Sequence, residues 1–199
     1  MRPHARGTGD CGAEPREEPD GRLPWSREIP RPEDRVVKPS RAASARAPAV
    51  GVEIADRQRL LRIDRAWLRR VVRSALQAAG IDRAQIGVLV LDDEAIAVLH
   101  ERWLGIPGPT DVLTFDLAGR GEGLRGDIAV SAETARRAAR ELGWAPRHEL
   151  AYYVIHGVLH LAGCDDRDPA SRRRMRATER EWMAAAGLPV PPRRRRTAS

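Results

Sequence analysis

Residues 156–166 read HGVLHLAGCDD, and the nine residues before them, 147–155, read RHELAYYVI. From about Arg147 to Ala162 the run predicts a helix carrying Leu150, Ala151, Tyr152, Val154, Ile155, Val158, Leu159 and Leu161. Those residues cover nearly every side, so the helix belongs at the centre of the fold and not on its surface. His156 and His160 are its main polar features. Four residues apart, they share one helix face, with side chains roughly 5–6 Å apart. Two readings are open: a pair that chelates one metal ion, or two core histidines followed by an ordinary Gly-Asp turn. Imidazoles buried without partners are costly, so this helix demands something for them to bind. Gly163 stops the helix, and Asp165 and Asp166 follow where the returning chain can supply an oxygen ligand.

Upstream, strand and helix patterns alternate. Gly51–Ala55 alternates like a strand. Asp64 is placed to cap a helix with Trp67, Leu68, Val71, Val72, Ala75 and Leu76 at helical spacing, and Gly80 ends it. Its other face, with Arg65, Arg69, Arg70 and Arg73, reads as solvated. Ile86–Leu91 predicts a strand buried on both faces. Asp92-Asp93-Glu94 opens a helix whose apolar residues are Ile96, Ala97, Leu99 and Trp103. A turn-rich loop, 105–110, leads to a strand at 111–116. A Gly/Arg loop, 118–125, closes a long hairpin with a strand at 126–131. A helix follows over about 132–142, and after the histidine helix Pro169 opens a last one, about 169–186, rich in arginine.

These elements predict one α+β domain over residues 50–187, a small mixed sheet of about four strands with about five helices around a central metal-binding helix. Residues 1–48, rich in Pro, Gly, Arg and Ala, and the basic tail 188–199 read as disordered. The net charge of +7 over 199 residues is weak evidence for nucleic acid, because 50–190 carries 21 basic and 20 acidic side chains. Two cysteines, Cys11 and Cys164, rule against a disulfide framework or a Cys-based zinc finger. No stretch reaches the roughly 20 apolar residues of a membrane span. The N-terminus lacks the apolar core of a secretory signal, so a cytoplasmic location and no membrane partner are the expectation.

The pattern H-x3-H-x2-G-x2-D would give three protein ligands with a position left for water, the arrangement of catalytic zinc. Such a metal acidifies its water and polarises the bond under attack. The spacing recurs in zincin metalloproteases. Those carry Glu after the first histidine as general base, where this chain has Gly157, so a peptidase reading ranks second.

Residues 156–166 resemble the HGxLHLxGYDH motif of the YbeY family, bacterial rRNA-maturation endoribonucleases that bind zinc. Residues 109–115, PTDVLTF, resemble that family's PTDVLSF, residues 126–128 its GDI, and residues 149–152 the segment before its histidine helix. The resemblance covers roughly residues 50–187. It implies a zincin-like fold, one Zn²⁺ per chain, and a single-strand-specific endoribonuclease of 16S rRNA 3′-end maturation and ribosome quality control, with ribosomal RNA and the ribosome as partners. The metal ligands, also the catalytic residues, would be His156, His160 and Asp166. Asp165 would orient a ligand.

Two departures stand out. The family's third ligand is a histidine where this chain has Asp166, so tolerance of harder ions such as Mn²⁺ is expected. The family's Arg after an aromatic is Leu104 here, following Trp103. Arg102, Arg125 and the cluster of Arg172, Arg173, Arg174 and Arg176 are the candidates to contact RNA in its place. Cys164, where the family has Tyr, reads as a packing residue, and His100 as a partly exposed surface residue. No general base is evident. The rivals are a metal hydrolase of another substrate and a non-catalytic ribosome-associated protein with a structural metal.

Overall fold

Nine elements follow one another in the computed structural model, which describes residues 50–118 and 123–190. They are β1 (Val50–Asp56), α1 (Arg65–Ala78), β2 (Ala84–Leu91), α2 (Asp93–Leu104), β3 (Val112–Asp116), β4 (Leu124–Ser131), α3 (Ala132–Leu142), α4 (Pro146–Leu161) and α5 (Pro169–Ala185). The expected N-terminal tail, residues 191–199 and residues 119–122 of the hairpin loop lie outside the described residues; Leu188, expected to open a disordered tail, is instead buried in the core, its N–H donating to the Met183 carbonyl.

Local chemistry sets most boundaries. The side chains of Asp64, Asp92 and Ser131 each accept a hydrogen bond from a backbone N–H two or three positions into their helices. Gly105 and Gly143 end α2 and α3 in the left-handed region, at φ 68° and 70°. Pro146 and Pro169 open α4 and α5, where a missing N–H costs nothing.

The four strands form one mixed sheet in the order β1-β2-β4-β3. β1 and β4 both run parallel to β2, and β3 pairs antiparallel to β4, making it an edge strand. This is the α+β class expected, with four strands and five helices. α4 packs against β3, β4 and helices α1, α3 and α5. It contributes Leu150, Ala151, Tyr153, Val154, Ile155, Val158 and Leu159 to a core shared with α1 and β2. The central placement of the histidine helix follows from that all-round apolar surface.

Gly157 lets α4 approach the sheet. A Cβ there would stand 2.8 Å from Ile128 Cγ2 and 3.3 Å from Thr114 Oγ1. Gly126 does the same from the other side, since its Cβ would meet Leu161 of α4 and the Phe115 carbonyl. The helix and strands β3 and β4 therefore touch almost backbone to side chain, which fixes α4 against the sheet.

Three local expectations are corrected. β2 is not buried on both faces: Ile86, Val88 and Val90 are buried, but Leu89 is half-buried and Gln85 exposed. Its second face is covered less completely, mainly by α2, which packs on β2 and β4. Trp103 is not in the stripe that α2 buries. It is 52% exposed and meets Phe115 edge-on at 5.5 Å, whereas Ile96 and Leu99 are the buried residues. On α1, Arg65, Arg70 and Arg73 are solvated as expected, but Arg69 is half-buried and its Nε donates to the Val52 carbonyl at 3.0 Å.

Candidate metal centre

α4 presents His156 and His160 on its one half-exposed face, since Gly157, Val158 and Leu159 between them are all buried. Each imidazole is fixed through Nδ1. His156 Nδ1 donates to Glu179 Oε1 at 2.7 Å, and His160 Nδ1 donates to the Cys164 carbonyl at 3.1 Å. A carboxylate and a carbonyl can only accept, so both Nδ1 atoms carry the proton. The two Nε2 atoms are left facing each other 3.1 Å apart, where each can present a lone pair to a cation. Two lone pairs at that distance repel each other unless a positive charge lies between them. Two imidazole ligands about 2.0–2.1 Å from a tetrahedral zinc would be separated by about 3.3 Å, close to what the ring anchors impose here.

Asp166 completes the cluster. It offers a carboxylate oxygen, and the ligand atoms of His156, His160 and Asp166 all lie within 4.8 Å of one another. The donor set, two neutral imidazoles and a carboxylate, suits zinc and also accommodates harder divalent ions. The residues present therefore fit a single divalent cation.

The turn that delivers Asp166 is built for it. Gly163, at φ 85°, takes the chain out of α4 in a conformation that a side chain would strain. Asp165 Oδ1 accepts from the backbone N–H of Asp166 at 2.7 Å and of Arg167 at 3.1 Å. Arg172 closes the turn from α5, its Nε donating to the Asp166 carbonyl at 3.1 Å and Nη2 to that of Arg167 at 3.4 Å. Asp168 then caps α5, with a capping box to Ser171. Hydrogen bonds from the Ser171 side chain, then from the Ser171 and Ala170 backbone, hold its carboxyl at about 2. The cap thus stays charged through the neutral range.

Around these groups lies a cleft of about 300 Å³, lined by His156, Asp166, Asp111, Arg172, Arg176 and Glu179, with Tyr152, Tyr153 and Met175 at its back. Asp111 comes from the PTDVL segment just before β3, which explains why that segment and the histidine helix belong to one site. Glu179, Asp111, Tyr152, Tyr153 and Met175 are the cleft residues that the sequence did not point to. For Glu179 a signal exists: Ser171, Met175, Glu179 and Met183 recur every fourth residue and are all buried. A carboxylate on that stripe cannot be a surface charge.

Other expected residues fall as follows. Asp165 orients Asp166 through its backbone and makes no hydrogen bond to either histidine among the described residues. Cys164 packs against the core, as expected, and also supplies the carbonyl that holds His160. His100 is half-buried and donates to the Gly108 carbonyl at 2.8 Å, pinning the loop before β3. Of the arginines, Arg172 lines the cleft, Arg102 and Arg173 are exposed outside its lining, and Arg125 is half-buried on β4. Leu104, where the resemblance places an arginine, is 59% exposed.

Asp166→Ala should lower metal affinity by on the order of 100-fold or more, since a directly bound carboxylate is worth more than a supporting group. Competition with a coloured chelator measures it, and the half-exposed position leaves the fold intact. Unchanged affinity would remove Asp166 from the ligand set.

Comparison with known proteins finds relatives of one family. Curated relatives include Endoribonuclease YbeY of Mycolicibacterium smegmatis, 39% identical over 51% of this chain and 65% of the relative. Endoribonuclease YbeY of Mycobacterium tuberculosis (strain H37Ra) is 40% identical over 51% of this chain and 66% of its own length. The chain thus spans about two thirds of the curated relatives it matches. A solved structure, the solution structure of TM1509 from Thermotoga maritima, aligns with 72% of this chain and 99% of its own, at 23% identity and a TM-score of 0.49. The family model described as Endoribonuclease YbeY matches residues 53–187, a range that holds the whole sheet but its first strand residues, all five helices and every residue of the cleft, and the chain therefore belongs to that family.

Proposed function

We propose that this chain is a metal-dependent, single-strand-specific endoribonuclease that acts in 16S rRNA 3′-end maturation and ribosome quality control. The observation that carries the reading is the pair of Nε2 atoms held 3.1 Å apart with an Asp166 oxygen in reach of both, beside a cleft that two arginines line. Family membership supports RNA as the substrate class. Its partners are then ribosomal RNA and the ribosome, in the cytoplasm. No helix among the described residues is long and apolar enough to cross a membrane.

Zinc, one ion per chain, is the cofactor this reading assigns to His156, His160 and Asp166. When bound it supplies Lewis acidity at the scissile phosphate and acidifies water there. The chain's residues do the rest. The two histidines and Asp166 fix the reacting point beside the cleft that His156 and Asp166 line. Arg176 makes no hydrogen bond or ion pair among the described residues, so its guanidinium is available to a backbone phosphate. Arg172 spends Nε and one Nη2 bond on the turn and keeps further N–H donors for the same purpose.

Gly157 counts against a peptidase of the zincin type. The place where such an enzyme carries its general base lies against Ile128 and Thr114, facing the sheet and not the cleft.

The test is cleavage of a single-stranded RNA and of a peptide pool by the purified protein, with and without chelator. Chelator-sensitive RNA cleavage with no peptide cleavage supports the proposal, and the reverse pattern would overturn it. In binding assays, Arg176→Ala should weaken affinity for single-stranded RNA irrespective of sequence. It should also make the slope of log K against log salt shallower by about 0.7 for one lost phosphate contact. An unchanged slope would place Arg176 outside the RNA path.

A further inference from the structure

Glu179 is the most deeply buried acid among the residues that line the cleft, only 3% exposed. Both of its oxygens are engaged. Oε1 accepts from His156 Nδ1 at 2.7 Å, and Oε2 accepts from the Tyr152 hydroxyl at 2.9 Å. His156 is the one cationic-capable side chain at ion-pair distance from it among the described residues. Both partners come from α4, and a carboxylate buried this deeply depends on them. The other nitrogen of the same imidazole stands 3.1 Å from His160 Nε2, where the ligand atoms converge. The buried carboxylate and the metal-facing nitrogen are thus two ends of one ring.

We propose that Glu179 is the positioning residue of this metal site, with Tyr152 holding Glu179 in turn. Its carboxylate fixes the tautomer and ring plane of His156 and raises the basicity of the nitrogen that faces the metal. Since Glu179 belongs to α5 and His156 to α4, the bond also ties the helix carrying Arg172 and Arg176 to the metal centre. The inference rests on the metal site assigned above and holds whatever the substrate proves to be.

A structural and a positioning role differ in what they move. Glu179→Gln keeps an acceptor for His156 Nδ1 and a polar partner for Tyr152 but removes the carboxylate. If Glu179 positions the ligand, this variant loses about 10–100-fold in metal affinity by chelator competition. Its metal-free melting temperature should stay close to that of the wild type, because both partners keep a polar atom to meet. The visible bands of the Co²⁺-substituted protein should shift as the ligand field of His156 weakens. Tyr152→Phe, nearly the same shape, should lose affinity in the same direction by a smaller factor. It keeps the proposal testable should Glu179→Gln fail to fold.

Metal affinity within twofold of wild type in Glu179→Gln, or in Tyr152→Phe if the former is unfolded, would overturn the proposal and leave Glu179 as a packing contact. A wild-type protein that binds neither Zn²⁺ nor Co²⁺ would overturn both this proposal and the metal site beneath it. No RNA is needed in any arm, so failure of the nuclease reading alone leaves these outcomes unchanged.

Discussion

His160→Ala is expected to abolish metal binding and, with it, RNA cleavage. The loss should reach about 10³-fold or more, since a catalytic metal contributes several kcal/mol of charge stabilisation. The imidazole does not hold the fold: it is half-buried, and its bonds run to the Cys164 carbonyl and to His156. Circular dichroism and the melting temperature of the metal-free variant should therefore stay close to those of the metal-free wild type. His156→Ala should lose as much activity but also stability, because it strands the buried Glu179 carboxylate without its Nδ1–H partner. Cleavage that survives in both variants would indicate a contaminating nuclease or a reaction that does not use this site.

The second large effect concerns a residue with no side chain. Gly157→Ala would place a methyl group 2.8 Å from Ile128 Cγ2 and 3.2 Å from its Cδ1. Both belong to a β-branched side chain that is fully buried, so it has little freedom to move. Overpacking of this kind costs about 1–3 kcal/mol, measurable as a reduced midpoint in urea. Gly157→Glu, which creates the HExxH pattern, adds a buried carboxylate with no partner and should cost several kcal/mol more. That variant is expected to be largely unfolded and to gain no peptidase activity. A folded Gly157→Glu protein that cleaves peptides would show that the helix can move off the sheet, contrary to the packing described.

Much of this fold is legible because its determinants are local. Asp64, Asp92 and Ser131 cap their helices within three residues, and Pro146 and Pro169 mark starts that need no distant contact. The histidine helix is legible for the same reason: apolar residues on all sides leave it no place but the centre. What escapes the sequence is set by contacts between distant elements. Glu179 reaches His156 across 23 positions and two helices, so nothing adjacent to either residue reveals the bond. Asp111 enters the cleft only because β3 lies at the sheet edge beside α4. β2 reads as doubly buried because Val88, Leu89, Val90 and Leu91 are all apolar, yet how fully its second face is covered depends on where α2 settles. Trp103 likewise has helical spacing with Ile96 and Leu99, but near the end of α2 it meets only the edge of the Phe115 ring on β3 and stays 52% exposed.

Asp166 is where residue chemistry and family resemblance diverge, and the structure keeps it within reach of both histidines. An oxygen ligand in place of a nitrogen favours broader metal use. Protein prepared with supplementary Mn²⁺ should retain some of it, whereas a site of three histidines would hold zinc more exclusively.

The most direct test of the whole account is elemental analysis of the purified protein beside its His160→Ala variant. The proposed site of His156, His160 and Asp166 predicts one divalent ion per chain in the wild type and essentially none in the variant. A wild-type protein that stays metal-free after incubation with zinc, or a variant that carries as much metal as the wild type, would contradict it.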